Sequence, residues 1–307
     1  MPKISVQRSI DVASPLTKVY AVIHDFRQWP HWSPWLVTEP ECKVTFADDG
    51  RQYAWDGKVV GSGNMAISSE DKPQAIHHDL TFIHPWKSQV KVTFALEEKD
   101  GGTHVTWAMD SKLPFFQFFL KGMMTSLIGM DYERGLRMLK DYVETGSVPS
   151  TLEFPGIQEI KGTSFVGVRT ECAIADIGPA MKHDIAKVKA WIDDSNAATS
   201  GPPFSIYHHW NVIKGTTDYT FAIPLETIPT FLPSGFISGE RASCQAFPIK
   251  HTGSYKHLGN AWSAGIFRGR NKIFLQSKTI PPFEVYNSDP ETVSDNDHTT
   301  TVYFPVR

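Results

Sequence analysis

Glu284 is the side chain whose type and position most clearly suggest a chemical role, because it is the single charged residue in the apolar segment Pro281–Tyr286. Removing an isolated carboxylate from water is costly, so such a group reaches solvent, finds a partner or serves a ligand. A related segment, Pro202–Tyr207, occurs 79 residues earlier and has Ser205 at the matching position. The carboxylate therefore belongs to one copy of a repeated strand, and two interpretations stay open: a solvated strand residue or a binding-site group.

The twelve histidines do not form a metal-binding pattern. Adjacent residues of a strand point to opposite faces, which separates the members of the pairs His77–His78 and His208–His209. His251 and His257 flank a glycine turn, and the HExxH motif is absent. The chain also lacks phosphate-binding glycine loops and the GxSxG nucleophile elbow. We therefore expect no metal, no cofactor, and neither nucleotide-driven nor serine-hydrolase chemistry.

A repeat in the second half of the chain predicts the elements that position Glu284. The two proline-led strands are followed by a second matching pair, Thr220–Pro224 and Thr301–Pro305. A strand and a helix precede each copy: Thr163–Arg169 and Gly178–Asp194 in the first, Cys244–Lys250 and Tyr255–Phe267 in the second. This pattern predicts a duplicated strand–helix–strand–strand fold with pseudo-twofold symmetry. Its helices would cover one face of a shared sheet, and the opposite face would form a groove.

The residue pattern of the first half predicts an antiparallel sheet around one long helix. Together with the duplicated second half, it predicts the α+β fold class for the whole chain. Alternating apolar residues mark an opening strand, a short helix follows Pro15, and a long helix is expected at about 115–145. Six further strands lie between the helices, at 42–47, 52–60, 63–69, 75–83, 88–97 and 103–110. The apolar face of the sheet and the helix enclose either a solid core or a hydrophobic cavity. His78 is the only ionisable residue on that face, either as a ligand-contacting group or as a core histidine with a backbone partner.

The length and the charge of the chain limit the number of its domains and the kinds of partner that it can bind. A chain of 307 residues predicts two domains at roughly 150 residues each, which we place at 1–150 and 151–307. The formal net charge of -3 offers no basic excess for a nucleic-acid partner. The segment Leu113–Met130 carries Lys121 as its single charge, but polar interruptions favour a helix with one apolar face over a membrane span.

The cysteines and the N-terminus indicate a compartment. Three widely spaced cysteines without a CxxC motif predict neither disulfides nor a thiolate zinc site: Cys42, Cys172 and Cys244. The opening residues alternate apolar and polar side chains and lack the apolar run of a signal peptide. Together these features predict a cytoplasmic protein.

The first half resembles the START-like (SRPBCC) superfamily of helix-grip domains. The resemblance covers residues 1 to about 147 and rests on the order of elements and on the phrase IDVASPLTKVYAVIHDFRQWPHWSPW. Membership implies an apolar ligand cavity but no particular reaction, since relatives include lipid carriers, hormone receptors, polyketide cyclases and stress-response proteins. The side chains that we expect to face this cavity are Tyr53, Trp55, His78, Phe82, Phe94, Trp107 and Met123.

The second half resembles the GyrI-like small-molecule-binding domain, which is also the effector-binding part of multidrug-responsive transcription activators. The segments GPPFSIYHHW, AFPIKHTGSYKHLGNAW, PPFEVY and TVYFPV carry the resemblance over about 154–307. In that family the glutamate of the PPFEVY position lies in an aromatic groove and can face cationic or amphipathic ligands, which implies this role for Glu284. The expected site residues are Glu284, Tyr286, Tyr255, Tyr207, Trp210 and Trp262.

Three functional hypotheses follow. The leading one is binding of hydrophobic, cationic or amphipathic small molecules in the second half, without DNA binding because no helix-turn-helix is present. Some members of the GyrI-like family hydrolyse cyclopropane-bearing alkylating compounds, which implies an alternative in which Glu284 is a general base and Tyr255 a hydrogen-bond donor. A further alternative is a lipid-like carrier or cyclase in the first half. Neither resemblance specifies the ligand or the oligomeric state.

Overall fold

The structure is a computed structural model that describes residues 3–112, 119 and 121–307. The chain divides into two compact units, one ending at Ser150 and the other spanning Thr151–Arg307. We call them the N-terminal unit and the C-terminal unit and describe each by itself.

The N-terminal unit is a seven-stranded antiparallel sheet in the order β1-β7-β6-β5-β4-β3-β2, with a long helix after the last strand. Its strands are β1 (Lys3–Val12), β2 (Lys43–Phe46), β3 (Gln52–Asp56), β4 (Ser62–Asp71), β5 (Ala75–His84), β6 (Ser88–Lys99) and β7 (Gly102–Lys112). The helices are α1 (Leu16–His24) and α2 (Lys121–Thr145), with short 3-10 turns at Phe26–His31 and Leu36–Thr38. The predicted helix-grip arrangement is confirmed, while the predicted helical start at 115–120 lies largely outside the described residues.

Aromatic side chains fill the space between this sheet and α2. The ring of Trp107 on β7 stacks on Tyr132 of α2, with centroids 4.1 Å apart. Trp29 and Trp32, from the aromatic phrase after α1, are fully buried beside them. Large rings bury much apolar surface per residue, so this cluster contributes strongly to the stability of the unit.

The C-terminal unit is a nine-stranded antiparallel sheet with two helices. The main strand order is β13-β10-β12-β11-β15-β16-β14-β8, and β9 also pairs with β14. The strands are β8 (Ser150–Glu153), β9 (Gln158–Ile160), β10 (Thr163–Ala173), β11 (Phe204–Asn211), β12 (Thr216–Pro224), β13 (Ile237–Arg241), β14 (Cys244–Gly253), β15 (Phe283–Tyr286) and β16 (Thr299–Pro305). The helices are α3 (Ile177–Ser195) and α4 (Gly259–Arg270).

The predicted duplication is present in the centre of this sheet. The order β10-α3-β11-β12 recurs as β14-α4-β15-β16, and the two copies meet where β11 pairs with β15. Ser205 pairs with Glu284, its own repeat equivalent. A local twofold axis therefore passes through this pair, and the position that differs chemically between the copies lies on that axis.

The expectation that the groove lies opposite the helices is wrong. Side chains of α3 and α4 contact Ser205 and Glu284, so these residues lie on the helix-covered face. The opposite face holds a separate apolar cluster, over which the guanidinium of Arg241 lies 4.4 Å from the Phe283 ring centroid. Both faces of the central strands thus carry buried apolar side chains.

Among the described residues, none of the helices combines the length and the apolar character needed to cross a membrane. The apolar stretch beginning at Leu113 lies partly outside these residues, and α2 itself carries Asp131, Glu133 and Arg134.

Candidate ligand-binding site

The carboxylate of Glu284 is buried in the C-terminal unit and accepts three hydrogen bonds. Its Oε1 accepts from the phenols of Tyr207 and Tyr286, at 2.7 and 2.5 Å. Its Oε2 accepts from the indole N–H of Trp262, at 2.9 Å. The residue is only 2% exposed. Because all three donors are aromatic, we call Glu284, Tyr207, Tyr286 and Trp262 the carboxylate cage.

Three elements assemble the carboxylate cage. Tyr207 comes from β11, Glu284 and Tyr286 from β15, and Trp262 from the first turn of α4. Residues two apart in a strand share a face, so Glu284 and Tyr286 point to the same side. Ser205 on β11 is opposite Glu284, which places Tyr207 on that side as well. The local twofold axis therefore brings one tyrosine from each repeat to a single carboxylate.

Burial raises the pKa of Glu284 above its ordinary value, and the hydrogen bonds from Tyr207, Tyr286 and Trp262 oppose that rise. No positive charge is among the causes of the shift. The pKa values of both phenols lie well above the usual value for tyrosine, first because of burial and then because of the carboxylate. When this carboxylate is ionised, its hydrogen-bond partners are neutral donors.

A hydroxyl and a thioether support Tyr286 from the side of α3. The Oγ of Ser205 lies 2.9 Å from the Tyr286 hydroxyl and 3.5 Å from Sδ of Met181. These contacts support the ring of Tyr286, whose hydroxyl lies 2.5 Å from Oε1 of Glu284. Repeat comparison singles out Ser205 as a position, whereas no sequence signal marks Met181 as a neighbour of the site.

The remaining predicted residues surround the carboxylate cage without contacting the carboxylate. The ring of Trp210 lies 6.1 Å from that of Tyr207 and is 42% exposed. The ring of Tyr255 lies 6.2 Å from that of Tyr286 and packs against His298. Burial raises the pKa of Tyr255. Trp262 and Tyr286 are part exposed, so the carboxylate cage presents aromatic surface from which a ligand can be held.

A second buried carboxylate in this unit, Asp184, was not singled out from the sequence. It lies on α3, and its Oδ2 accepts hydrogen bonds from Tyr219 at 2.7 Å and Thr170 at 2.8 Å. These bonds tie α3 to β12 and β10. A single acidic residue on a helix carries no pattern that distinguishes it from a solvated one, so sequence reasoning had no means of finding it.

The N-terminal unit contains a small cavity of about 70 Å³. Of the seven predicted cavity residues, Tyr53, Trp55, Phe82 and Trp107 line it. The other lining residues are Trp29, Ser33, Trp35, Leu36, Val60, Met65, Leu80, Val92 and Tyr132. A water molecule takes up about 30 Å³ in the liquid, so this space corresponds to about two waters.

The other three predicted residues of the N-terminal unit do not line this cavity. Phe94 and His78 are fully buried and pack on each other, with ring centroids 5.9 Å apart. Burial lowers the pKa of His78 to about 3, so its imidazole is neutral. Met123 lies in the first turn of α2 and is part exposed. Among the residues that the structure describes, no three His, Cys, Asp or Glu side chains are grouped to hold a metal ion.

Fold and site together define a two-part α+β protein whose C-terminal unit is a small-molecule-binding domain. Residues 154–307, half of the chain, match the model of the GyrI-like small molecule binding domain, and the chain belongs to that family. Residues 3–144 match the family model described as polyketide cyclase / dehydrase and lipid transport. Both resemblances seen in the sequence are therefore confirmed.

Several solved structures are similar to parts of this chain. The EcmrR C-terminal domain is 17% identical, covers 52% of this chain and 98% of its own, and has a TM-score of 0.44. EcmrR in its complex with DNA is 16% identical, with coverages of 62% and 69% and a TM-score of 0.45. A START superfamily protein from Mycobacterium smegmatis is 20% identical, with coverages of 47% and 99% and a TM-score of 0.34. No curated protein matches the sequence.

Proposed function

We propose that the C-terminal unit binds hydrophobic cations and amphipathic molecules with a positive centre, and that Glu284 selects for the charge. The observation that carries the proposal is the carboxylate cage: a buried carboxylate, 2% exposed, with three aromatic donors and no positive charge among the causes of its pKa shift. A buried charge without a counter-charge is unfavourable, and a cationic ligand supplies the missing charge.

The aromatic donors add a second attraction for cations. A cation over the face of a tyrosine or tryptophan ring gains about 0.5–2 kcal/mol. Tyr207, Tyr286 and Trp262 each donate their polar hydrogen to Glu284, and this donation increases the electron density of their rings. The same contacts therefore hold the carboxylate and strengthen the ring faces toward a cation.

Between its sheet and α2, the N-terminal unit encloses little preformed space for a ligand, although two larger depressions of about 520 and 490 Å³ open to solvent on the sheet. Pockets for drug-sized molecules enclose about 300–1,000 Å³, whereas the cavity lined by Trp107 and Tyr132 measures about 70 Å³. The carboxylate cage, and not cavity volume, is the reason that we assign binding to the C-terminal unit and not to a lipid-like carrier or cyclase in the N-terminal unit. A cytoplasmic location belongs to the proposal, and the free thiols of Cys42, Cys172 and Cys244 suit a reducing compartment.

The test compares a cation and its neutral counterpart on the full chain. The probes are 1-methyl-4-styrylpyridinium and 4-styrylpyridine at pH 8, where the second is uncharged. A unit charge about 6 Å away contributes about 3 kcal/mol at an effective dielectric constant of ~20. We therefore expect Glu284→Gln to weaken binding of the cation by at least tenfold, as measured by probe fluorescence, and binding of the neutral compound by less than twofold.

Asp184→Asn is the matched control for this experiment. Asp184 also accepts a hydrogen bond from a buried tyrosine, but it lies between α3 and the sheet. We expect it to leave cation binding unchanged. Equal losses for both probes in Glu284→Gln, or no binding of either probe by the wild type, would contradict the proposal.

A second candidate function is hydrolysis of a reactive electrophile at the same site. The raised pKa of Glu284 favours it, because a general base works best when its pKa approaches the ambient pH. In this reaction Glu284 takes a proton from water while the water oxygen bonds to a cyclopropane carbon. The ring C–C bond at that carbon breaks, and its electron pair moves to a conjugated carbonyl oxygen that accepts a hydrogen bond from Tyr255. That oxygen then takes the proton from Glu284. Incubation with a cyclopropane-bearing alkylating compound should then yield a product heavier by one water in mass spectrometry. An unchanged mass with saturable binding would leave binding alone.

A further inference from the structure

His298, the residue directly before β16, is buried and its side chain has no hydrogen bond to the described residues. It is 5% exposed, and within the described part of the chain neither ring nitrogen has a hydrogen-bond partner. Asp295 Oδ1 lies 3.5 Å from Nδ1, which is too long for a good hydrogen bond. Leaving a buried polar group unpaired costs about 1–3 kcal/mol, so such a group requires an explanation.

His298 lies on the same face of the sheet as the carboxylate cage. Strand β16 carries Thr300 opposite Tyr286 and Val302 opposite Glu284. Alternate residues of an extended chain share a face, so His298, two residues before Thr300, continues the face of Glu284. His298 is four positions before Val302, the residue that pairs with Glu284. At about 3.3 Å per residue, His298 lies about 13 Å from Glu284 along the direction of the strand.

A row of aromatic rings connects the imidazole with the carboxylate. The rings of His298 and Tyr255 are packed with centroids 4.6 Å apart. Tyr255 lies 6.2 Å from Tyr286, whose hydroxyl donates to Glu284. Tyr255 is part exposed, so a ligand that lies along this row can contact its ring, against which the imidazole of His298 packs.

We propose that His298 is a second recognition group of the Glu284 site, where its imidazole hydrogen-bonds a polar group of the ligand. This inference rests on the proposed function and narrows the ligand class. The preferred ligands are elongated amphipathic cations in which a hydroxyl or carbonyl group lies about 13 Å or less from the positive centre. A neutral imidazole offers one donor and one acceptor, so it accommodates either group.

Two probes of equal charge and shape test the proposal on the full chain. They are 1-methyl-4-(4-hydroxymethylstyryl)pyridinium and its 4-ethyl counterpart, which differ by a hydroxyl in place of a methyl group. A hydrogen bond contributes about 0.5–1.5 kcal/mol, so we expect the wild type to prefer the hydroxymethyl probe by about three- to tenfold. His298→Phe keeps a ring against Tyr255 and should reduce this preference below twofold without changing the affinity for the ethyl probe.

The outcomes separate this proposal from the one on which it rests. If both probes bind the wild type equally, or if His298→Phe retains the preference, His298 is not a recognition group, although Glu284 still binds cations. If neither probe binds, both proposals fail. Glu284→Gln should weaken both probes by the same factor.

A spectroscopic measurement avoids dependence on the folding of the variant. In wild-type protein with ¹⁵N-labelled histidine, the hydroxymethyl probe should shift the ring-nitrogen signals of His298 more than the ethyl probe does. His251→Asn provides a comparison spectrum in which a different buried histidine signal is lost. Equal shifts with the two probes would overturn the proposal.

Discussion

Replacing Glu284 by glutamine should stabilise the C-terminal unit at neutral pH while it removes selectivity for cations. The carboxylate is 2% exposed, and burial raises its pKa in spite of three hydrogen bonds. For a carboxyl group, a raised pKa in the folded state means that the charged form is less favourable there than in the unfolded chain. A charge at this position therefore costs stability in the fold, as the proposed role of Glu284 in cation binding requires.

The magnitude follows from opposing contributions. Each unit by which the pKa is raised corresponds to about 1.4 kcal/mol of destabilisation when the group is charged. Glutamine removes the charge and keeps an oxygen that can accept from Tyr207 and Tyr286, but its amide nitrogen faces the indole N–H of Trp262. Losing that hydrogen bond costs about 1 kcal/mol. A rise of one unit in the pKa of Glu284 is already enough to offset this loss, so we expect a net gain in the free energy of unfolding at about pH 7.5.

Native-state hydrogen exchange provides the assay, because it measures the two units separately in one chain. The slowest amides of β11 and β12 report the C-terminal unit, and those of β5 and β6 serve as an internal reference. Ser205→Ala is the control: it removes the hydroxyl beside Tyr286 without changing charge, and it should lower the free energy of unfolding by about 1 kcal/mol.

The sign of the pH dependence provides an independent check. Between the ordinary pKa of 4.5 and the raised pKa of the folded state, the folded protein binds more protons than the unfolded chain. Wild-type stability in the C-terminal unit should therefore fall as pH rises through this window, and Glu284→Gln should remove that fall. If Glu284→Gln instead lowers the free energy of unfolding as much as Ser205→Ala does, the carboxylate stabilises the fold and the reasoning is refuted.

Three further predictions concern pH and the N-terminal unit. Affinity for 1-methyl-4-styrylpyridinium should fall as pH is lowered through the raised pKa of Glu284, because protonation removes the negative charge; a flat profile in probe titrations would contradict this. The buried carboxylate of Glu39 accepts hydrogen bonds from the backbone N–H groups of residues 58–60. Glu39→Gln should therefore lower the free energy of unfolding of the N-terminal unit by about 2 kcal/mol and speed amide exchange at these residues. Unchanged exchange would contradict this prediction. The pKa of His78 is lowered to about 3 in the folded protein, so between pH 6.5 and 3 the unfolded chain binds a proton that the folded protein does not. The N-terminal unit should therefore lose stability as pH falls through this range, and His78→Phe should lack that part of the loss. Identical acid titrations of the two proteins would refute the assignment of this loss to His78.

Strand alternation and the repeat made much of the fold predictable. In both repeats the side chains alternate between the two faces of the strand: Phe204 and Phe283 point to one face, and Ser205 and Glu284 point to the other. This period of two depends on local backbone geometry alone. The pairing of Ser205 with Glu284 could not be read in this way, because register between distant strands depends on which faces become buried. The helix-covered position of the site was missed for the same reason: parity separates two faces but does not say what covers each.

In the N-terminal unit, residue spacing predicted side chains that line the cavity but not the volume of the cavity. The expected face of the sheet is present, and Tyr53, Trp55, Phe82 and Trp107 line a cavity there. Its volume of about 70 Å³ depends on how rings from the turns after α1 and from α2 interlock, as in the stacking of Trp107 on Tyr132. Packing of this kind is decided by three-dimensional shape, which residue spacing does not encode.

The sequence by itself determined that the chain holds two α+β parts, that the second is duplicated, and that one copy carries a carboxylate where the other carries Ser205. These are properties of local spacing and of comparison along the chain. Only the tertiary structure decided that Tyr207, Tyr286 and Trp262 all donate to Glu284, and that His298 lies farther along the same face. The physical reason is that the burial that raises the pKa of that carboxylate, and the hydrogen bonds that oppose this rise, come from groups distant in sequence that folding brings together.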